Sequence, residues 1–347
     1  MMESKQPYRS LFWPVLLIGL GVLWLLGSLN LIPALSWGML GSFWPLILII
    51  IGLDMLFTRR SPWMGGVIAL LAVGLIAFLL VGAPALGLKT TPNIITERFT
   101  EPIGSAESAT VDLDLSLYAT TIQPLANSTD LVDASLTHAG QVTFSAAGEK
   151  NKTISLGYQH PDMTFSITPD ARWDIGLTPD LPLDLKLDGG SGSVTANLAG
   201  LNLSNFWMDV GSGAVRLTLP AAPEAYQAGV VGGSGSLHLS LENGAEADLS
   251  LETHSGSVEL RVGQDASLQI VASTGSGSVR FLLPEDAGVR FEVVESGSGS
   301  VSVSNRFEKI SGSEAKEGVW QTAGWETAAR RIHIIIEDQG SGSITVR

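Results

Sequence analysis

Seven times between residue 190 and the C-terminus, the chain writes Ser-Gly, then a small residue, then an aliphatic one. The glycines are Gly192, Gly213, Gly235, Gly256, Gly277, Gly299 and Gly342, with successive gaps of 21, 22, 21, 21, 22 and 43 residues. A fixed period of this size marks stacked supersecondary units, each touching its neighbours. The last gap reads as two periods with one signature missing.

Each period holds two strand-like runs. After the Ser-Gly turn come Val215, Leu217 and Leu219, or Leu237, Leu239 and Leu241, or Val258, Leu260 and Val262. Before the next turn comes a second set, such as Leu249 and Leu251, Leu268 and Ile270, or Ile332, Ile334 and Ile336. Alternation with period two puts these side chains on one face and the polar ones on the other. An antiparallel meander would alternate in the same way, but it would not require one glycine signature at only one kind of turn. In a parallel coil, equivalent turns stack about 4.8 Å apart, and only small residues fit between them. The residue two after each glycine is Val194, Val215, Leu237, Val258, Val279, Val301 or Ile344, an inward aliphatic ladder.

The predicted fold is therefore all-β, a parallel β-solenoid of about 21–22 residues per coil over 111–347, with a loop insertion at 304–330. Val111, Leu113, Leu115 and Leu117, and the runs near Val142-Phe144 and Thr164–Ile167, read as early coils without the signature. Carried back to residue 111, the period predicts about 11 coils stacked to ~50 Å. Residues 84–110 read as a polar linker.

Ahead of it, residues 1–83 read as a bundle of three transmembrane α-helices, with apolar stretches at about 11–29, 35–57 and 63–83. Each reaches or exceeds the ~20 residues that cross a bilayer core. Phe12-Trp13-Pro14 and its apolar run are echoed at Phe43-Trp44-Pro45. No Ala-x-Ala cleavage pattern follows the first stretch, which disfavours a signal peptide. Lys5 and Arg9 precede span one, and Arg59-Arg60 lies between spans two and three. Basic residues stay cytoplasmic, so the N-terminus is predicted inside and the C-terminal domain outside. Asp54 falls within reach of Arg59 and Arg60 and reads as their interfacial partner.

Charge and cysteine usage narrow the functions. Of 20 basic and 34 acidic residues, four and two fall in the first 83, leaving 16 against 32 and a net −16 for residues 84–347. Such a domain disfavours nucleic acid and anionic lipid as partners. With no cysteine, there are no disulfides, thiolate nucleophiles or thiolate metal sites.

The glycine turns are structural. A calcium-binding β-roll needs an aspartate where this chain has an aliphatic residue, and a phosphate loop needs a following helix rather than a strand. Four residues before the glycine, however, stand Asp188, Asp209, Glu252, Glu295 and Asp338; only Val231 and Ser273 break the series. Stacked at ~5 Å these carboxylates repel one another, so they either accept hydrogen bonds from their own turns or form a strip for cations. The five histidines, His138, His160, His238, His254 and His333, share no ligand spacing and read as exposed strand residues. A polysaccharide-cleaving enzyme would need acids clustered with Arg or Lys in a cleft, and the serines of the turn column have no paired histidine. No catalytic residue and no cofactor is expected.

Two resemblances cover nearly the whole chain. Phe12-Trp13-Pro14 with its apolar run, and the duplicate at Phe43-Trp44-Pro45, resemble the LiaI/LiaF-like transmembrane region. The repeats resemble the toastrack, or adhesin-type, β-repeat domain. Its C-terminal pattern is echoed in Val319-Trp320-Gln321-Thr322-Ala323-Gly324-Trp325, then Ile332-His333-Ile334, then Gly340-Ser341-Gly342-Ser343-Ile344-Thr345-Val346. The resemblance implies a non-enzymatic bacterial plasma-membrane protein of envelope-stress sensing, whose partner is a membrane sensor kinase or another envelope protein. The alternative is an adhesin or structural envelope scaffold. The final strand, Ser343, Ile344, Thr345 and Val346, ends beside Arg347 and reads as an open sheet edge for self-association or a partner.

Overall fold

The computed structural model describes residues 11–28, 48–53, 62–82, 94–115, 117–159, 171–312 and 316–347. The chain divides into two compact units, Met1–Asn93 with His160–Pro169, and Ile94–Gln159 with Asp170–Arg347.

In the first unit, the first and third apolar stretches form α1 (Phe12–Ser28) and α2 (Pro62–Gly82), and residues 48–53 are helical. Pro62 opens α2, where its missing N–H costs nothing. Neither helix contains a charged residue. Small residues make their contact. A side chain on Gly19 would meet Val73, Gly66 lies beside Leu11 and Val15, and Ala69 and Ala72 are buried. Close approach through small residues is how apolar helices associate where no hydrophobic force favours them. Moving along α1 from Leu11 to Gly19 moves along α2 from Gly66 to Val73, so the two helices run in the same direction. Among the described residues no helix is long and apolar enough to cross a membrane, so the helices do not establish the expected three-span bundle. Most of the expected second span, together with Lys5, Arg9, Asp54, Arg59 and Arg60, lies outside the described residues.

The second unit is built from two large sheets. Its N-terminal end contains β1 (Ile95–Pro102), β2 (Ser108–Asp114), β3 (Ala119–Pro124), β4 (Asp130–His138), β5 (Gln141–Ala147), β6 (Asn151–Gln159) and β7 (Arg172–Leu177). The regular middle runs through β8 (Leu183–Gly189), β9 (Val194–Asn197), β10 (Leu203–Val210), β11 (Val215–Leu219) and β12 (Tyr226–Gly232). It continues through β13 (Ser236–Leu241), β14 (Glu246–Thr253), β15 (Ser257–Arg261), β16 (Ser267–Thr274) and β17 (Val279–Leu282). The C-terminal end contains β18 (Gly288–Glu295), β19 (Val301–Val303), β20 (Phe307–Ser311), β21 (Gly318–Thr322), β22 (Arg331–Gln339) and β23 (Ile344–Val346).

Each strand from β8 to β16 with an even number passes through a Ser-Gly turn into the next odd-numbered strand of the opposite sheet. Equivalent strands pair in parallel and in register, as Val215 with Leu237 and Leu249 with Ile270. The parallel solenoid is thereby realised. Turns are tied coil to coil by backbone bonds, Ser212 N–H to the Gly190 carbonyl at 2.9 Å and Ser276 N–H to the His254 carbonyl at 2.7 Å. Inside, Leu185, Phe206, Ala228, Leu249, Ile270 and Ile334 form one continuous ladder, each at most 3% exposed. Burying a large aliphatic or aromatic side chain contributes roughly 1.5–3 kcal/mol, so the ladders outweigh any single turn contact.

Spatial order departs from chain order at both ends. In the 11-stranded sheet the order is β1-β4-β7-β3-β9-β11-β13-β15-β17-β23-β19; in the 12-stranded sheet it is β20-β21-β18-β22-β16-β14-β12-β10-β8-β2-β6-β5. The last coil, β22 and β23, therefore sits between the β16–β17 coil and the β18–β19 coil. The first coil, β2 and β3, likewise sits between the β6–β7 coil and the β8–β9 coil. The glycine column is accordingly complete, with Gly342 on Gly277 and Gly299 on Gly342. No signature is missing, and the 43-residue gap is a detour out to the end and back.

Three further expectations are corrected. The region read as a linker already contains β1 and the start of β2. The 304–330 insertion is not a plain loop: β20 and β21 form an antiparallel hairpin whose second strand pairs with β18. The run at Val142–Phe144 belongs to β5, which pairs antiparallel with β6. With antiparallel strands closing the ends, nine two-sheet coils form among the described residues instead of about 11. Thr164–Ile167 lies outside those residues.

Candidate functional site

The acidic series is a real spatial column. Asp188 pairs with Asp209, Val231 pairs with both Asp209 and Glu252, Ser273 pairs with both Glu252 and Asp338, and Asp338 pairs with Glu295. Because the first coil is inserted out of order, Asp114 stands next to Asp188 and joins the column. Burial raises the Asp188 carboxyl above its ordinary value, and the charges of Asp114 and Asp209 add to this. Val231 and Ser273 divide the column into a triplet, a single residue and a pair. Among the described residues no group of three or more His, Asp or Glu side chains could hold a metal ion.

The terminal strand is not an edge. Ser343 lies in the turn, and Ile344, Thr345 and Val346 pair with β17 on one side and β19 on the other. The edge strands are β1 and β19 in one sheet and β20 and β5 in the other. β19 has only three residues, while β1 carries Glu97, Arg98, Glu101 and Pro102. Shortness, charge and proline are the features that keep edges from pairing with other chains. Arg98 donates two hydrogen bonds to Asp133 on β4, at 2.8 and 2.6 Å, which ties β1 to the sheet.

The histidines divide. His238 and His254 are exposed as expected. His333 is half-buried, and burial with nearby Arg290 lowers its pKa despite Glu292. His138 is a correction: it continues the inward alternation of β4 and is fully buried, with Nε2 3.4 Å from Glu97. His160 lies outside the described residues.

The outward face of the 12-stranded sheet holds a feature that turn-based reading missed. Trp207 on β10 is 46% exposed, flanked in register by Lys186 on β8 and Gly229 on β12. Its indole occupies the space a side chain on Gly229 would fill, and Gly229 is buried beneath it. One row away, Asp184, Asn205, Gln227, Asp248 and Gln269 stand in successive register on five adjacent strands. Together they line a shallow trough of about 360 Å³. The sequence signal was an outward tryptophan followed one coil later by a strand-interior glycine, a place where another group approaches the backbone closely.

Two family models match parts of the chain. Residues 12–87 match the LiaF transmembrane domain and residues 90–240 match the N-terminal domain of toast_rack. A crystal structure described as a "putative cell adhesion protein" from Clostridium sporogenes is similar at 17% identity and a TM-score of 0.38, covering 73% of this chain and 99% of that one. Another, a "putative adhesin" from Bacteroides fragilis, is similar at 14% identity and a TM-score of 0.27, covering 74% and 97%. No curated protein matches the chain.

Proposed function

Starting from a chain in which a LiaF transmembrane domain is followed by a toast_rack domain, we propose a membrane-anchored envelope protein whose acidic coil stands outside the cytoplasm and works by binding. Its role is to sense envelope stress or to modulate a membrane partner, such as a sensor kinase. The match of residues 12–87 to the LiaF transmembrane domain carries this reading, and the common direction of α1 and α2 favours its orientation. Two helices that cross the same way require a return between them, which favours an odd number of crossings and opposite sides for the two ends. Lys5, Arg9, Arg59 and Arg60 favour a cytoplasmic N-terminus.

The absence of cysteine from these 347 residues makes the test direct. A Thr195→Cys variant, on the exposed face of β9, should react in intact cells with a membrane-impermeant maleimide, whereas Ser4→Cys should react only after permeabilisation. The opposite pattern overturns the orientation. Deleting the gene should shift the response to agents that act on the cell wall; an unchanged response counts against a regulatory role.

A further inference from the structure

We propose that the trough beside Trp207 binds an extended, uncharged glycan lying along the axis of the coil. Three independent features of the surface favour that ligand class. First, the indole lies against Gly229, and Trp207 is 46% exposed to solvent. A broad, rigid aromatic surface with little side-chain entropy to lose suits the C–H face of a pyranose ring. Second, the polar row beside it mixes carboxylates and amides, and no side-chain hydrogen bond or ion pair among the described residues engages Asp184, Asn205, Gln227, Asp248 or Gln269. Amides and carboxylates between them offer donors and acceptors, which matches vicinal hydroxyls that both give and take.

Third, the row repeats at the strand spacing of about 4.8 Å, comparable with the advance of one sugar in a β-linked chain. A glycan laid across the strands would therefore meet a fresh polar side chain at each residue. The charges set the sign of the ligand. Asp184 and Asp248 flank the trough, and residues 84–347 carry a net −16, so an anionic polymer is repelled.

The test uses the full chain in detergent micelles and isothermal titration with cellohexaose, chitohexaose, maltohexaose and polygalacturonate. The extended β-linked hexamers should bind, and Trp207→Ala should weaken that binding at least tenfold with unchanged circular dichroism. Gly229→Val, which keeps the tryptophan but lifts it from its seat, should weaken binding similarly, and Trp207→Phe should retain part of it. Gln227→Ala, which leaves the indole in place, should weaken binding severalfold. No heat with either β-linked hexamer, wild-type affinity in both Trp207→Ala and Gly229→Val, or tighter binding of maltohexaose or polygalacturonate each overturns the proposal. Access to a glycan in the cell rests on the extracytoplasmic reading. The titration does not, so failure of one is distinguishable from failure of the other.

Discussion

Gly342 rests on the backbone of Gly277 although 65 residues separate them in the chain. The Gly277 carbonyl oxygen fills the space a side chain on Gly342 would need, and Gly299 stacks on the other side. The last coil is thus a wedge between two coils made before it. Removing residues 340–347 removes β23, which should leave β19 without the strand it pairs with and uncover the side of β17 that β23 occupied. Hydrogen exchange should lose protection in β17 and β19 while β8 through β13 keep theirs, because stability in stacked repeats is largely nearest-neighbour. Uniform loss along the whole unit would contradict this.

Glycine-to-alanine changes should sort by cause. At Gly256 the obstacle is the Gly235 carbonyl oxygen, which is backbone and cannot step aside. Gly256→Ala should cost roughly 1–3 kcal/mol or more, as overpacking does. Gly244 has open space around it but a φ of +77°, so Gly244→Ala should cost about 1–2 kcal/mol through conformation alone. Thermal unfolding of both variants tests the difference, and Gly244→Asn should recover part of the loss only at that site.

The acidic column should be a small liability at neutral pH. Because burial and its acidic neighbours raise the Asp188 carboxyl in the folded chain, the folded state holds that proton more tightly than the unfolded one. Acidification then favours folding at this site, and the penalty is fully developed once pH rises above the raised value. Asp188→Asn should stabilise the protein at pH 7 by under ~1 kcal/mol, given the exposure of the group. The gain should vanish below the carboxylate range. Chemical denaturation at both pH values reads it.

Asp133 should show the reverse sign. The Arg98 guanidinium holds its carboxyl below the ordinary range, so its contribution is present above the unfolded value and is lost as pH falls through the folded one. Asp133→Ala should cost about 0.5–1 kcal/mol at pH 7 and little in strong acid. The loss should appear as faster exchange in β1, which is an edge strand among the described residues.

Ladder residues should dominate both effects. Ile270, fully buried between Leu249 and Ile334, should lose about 2–5 kcal/mol on change to alanine. A melting shift smaller than that of Asp133→Ala would contradict the weight given to the core.

Most of the architecture was legible because the Ser-Gly turn and the inward aliphatics repeat together, and parallel pairing is what makes both necessary. The exchange of coils at the ends was not legible. Ile332, Ile334 and Ile336 look like any other inward set, and nothing in a nearest-neighbour pattern says which earlier strand they will join. The 43-residue gap reads equally well as an omission or an excursion. Misplacing that coil made Ile344–Val346 an edge, and the insertion of the first coil, whose β2 lacks the glycine signature, hid Asp114 from the acidic column. His138 was misread because β4 belongs to the antiparallel cap, where alternation starts from a different register. Trp207 went unnoticed because its partner, Gly229, was one coil away rather than beside it in sequence.

Coils exchanged at both extremities also bear on load and on growth. A pull on Arg347 draws β23 lengthwise against two neighbours at once, so rows of bonds must slip together instead of opening one at a time. Insertions that lengthen the rod are accommodated only between β8 and β17, since an added repeat beyond either buckle would meet a closing strand rather than a waiting partner.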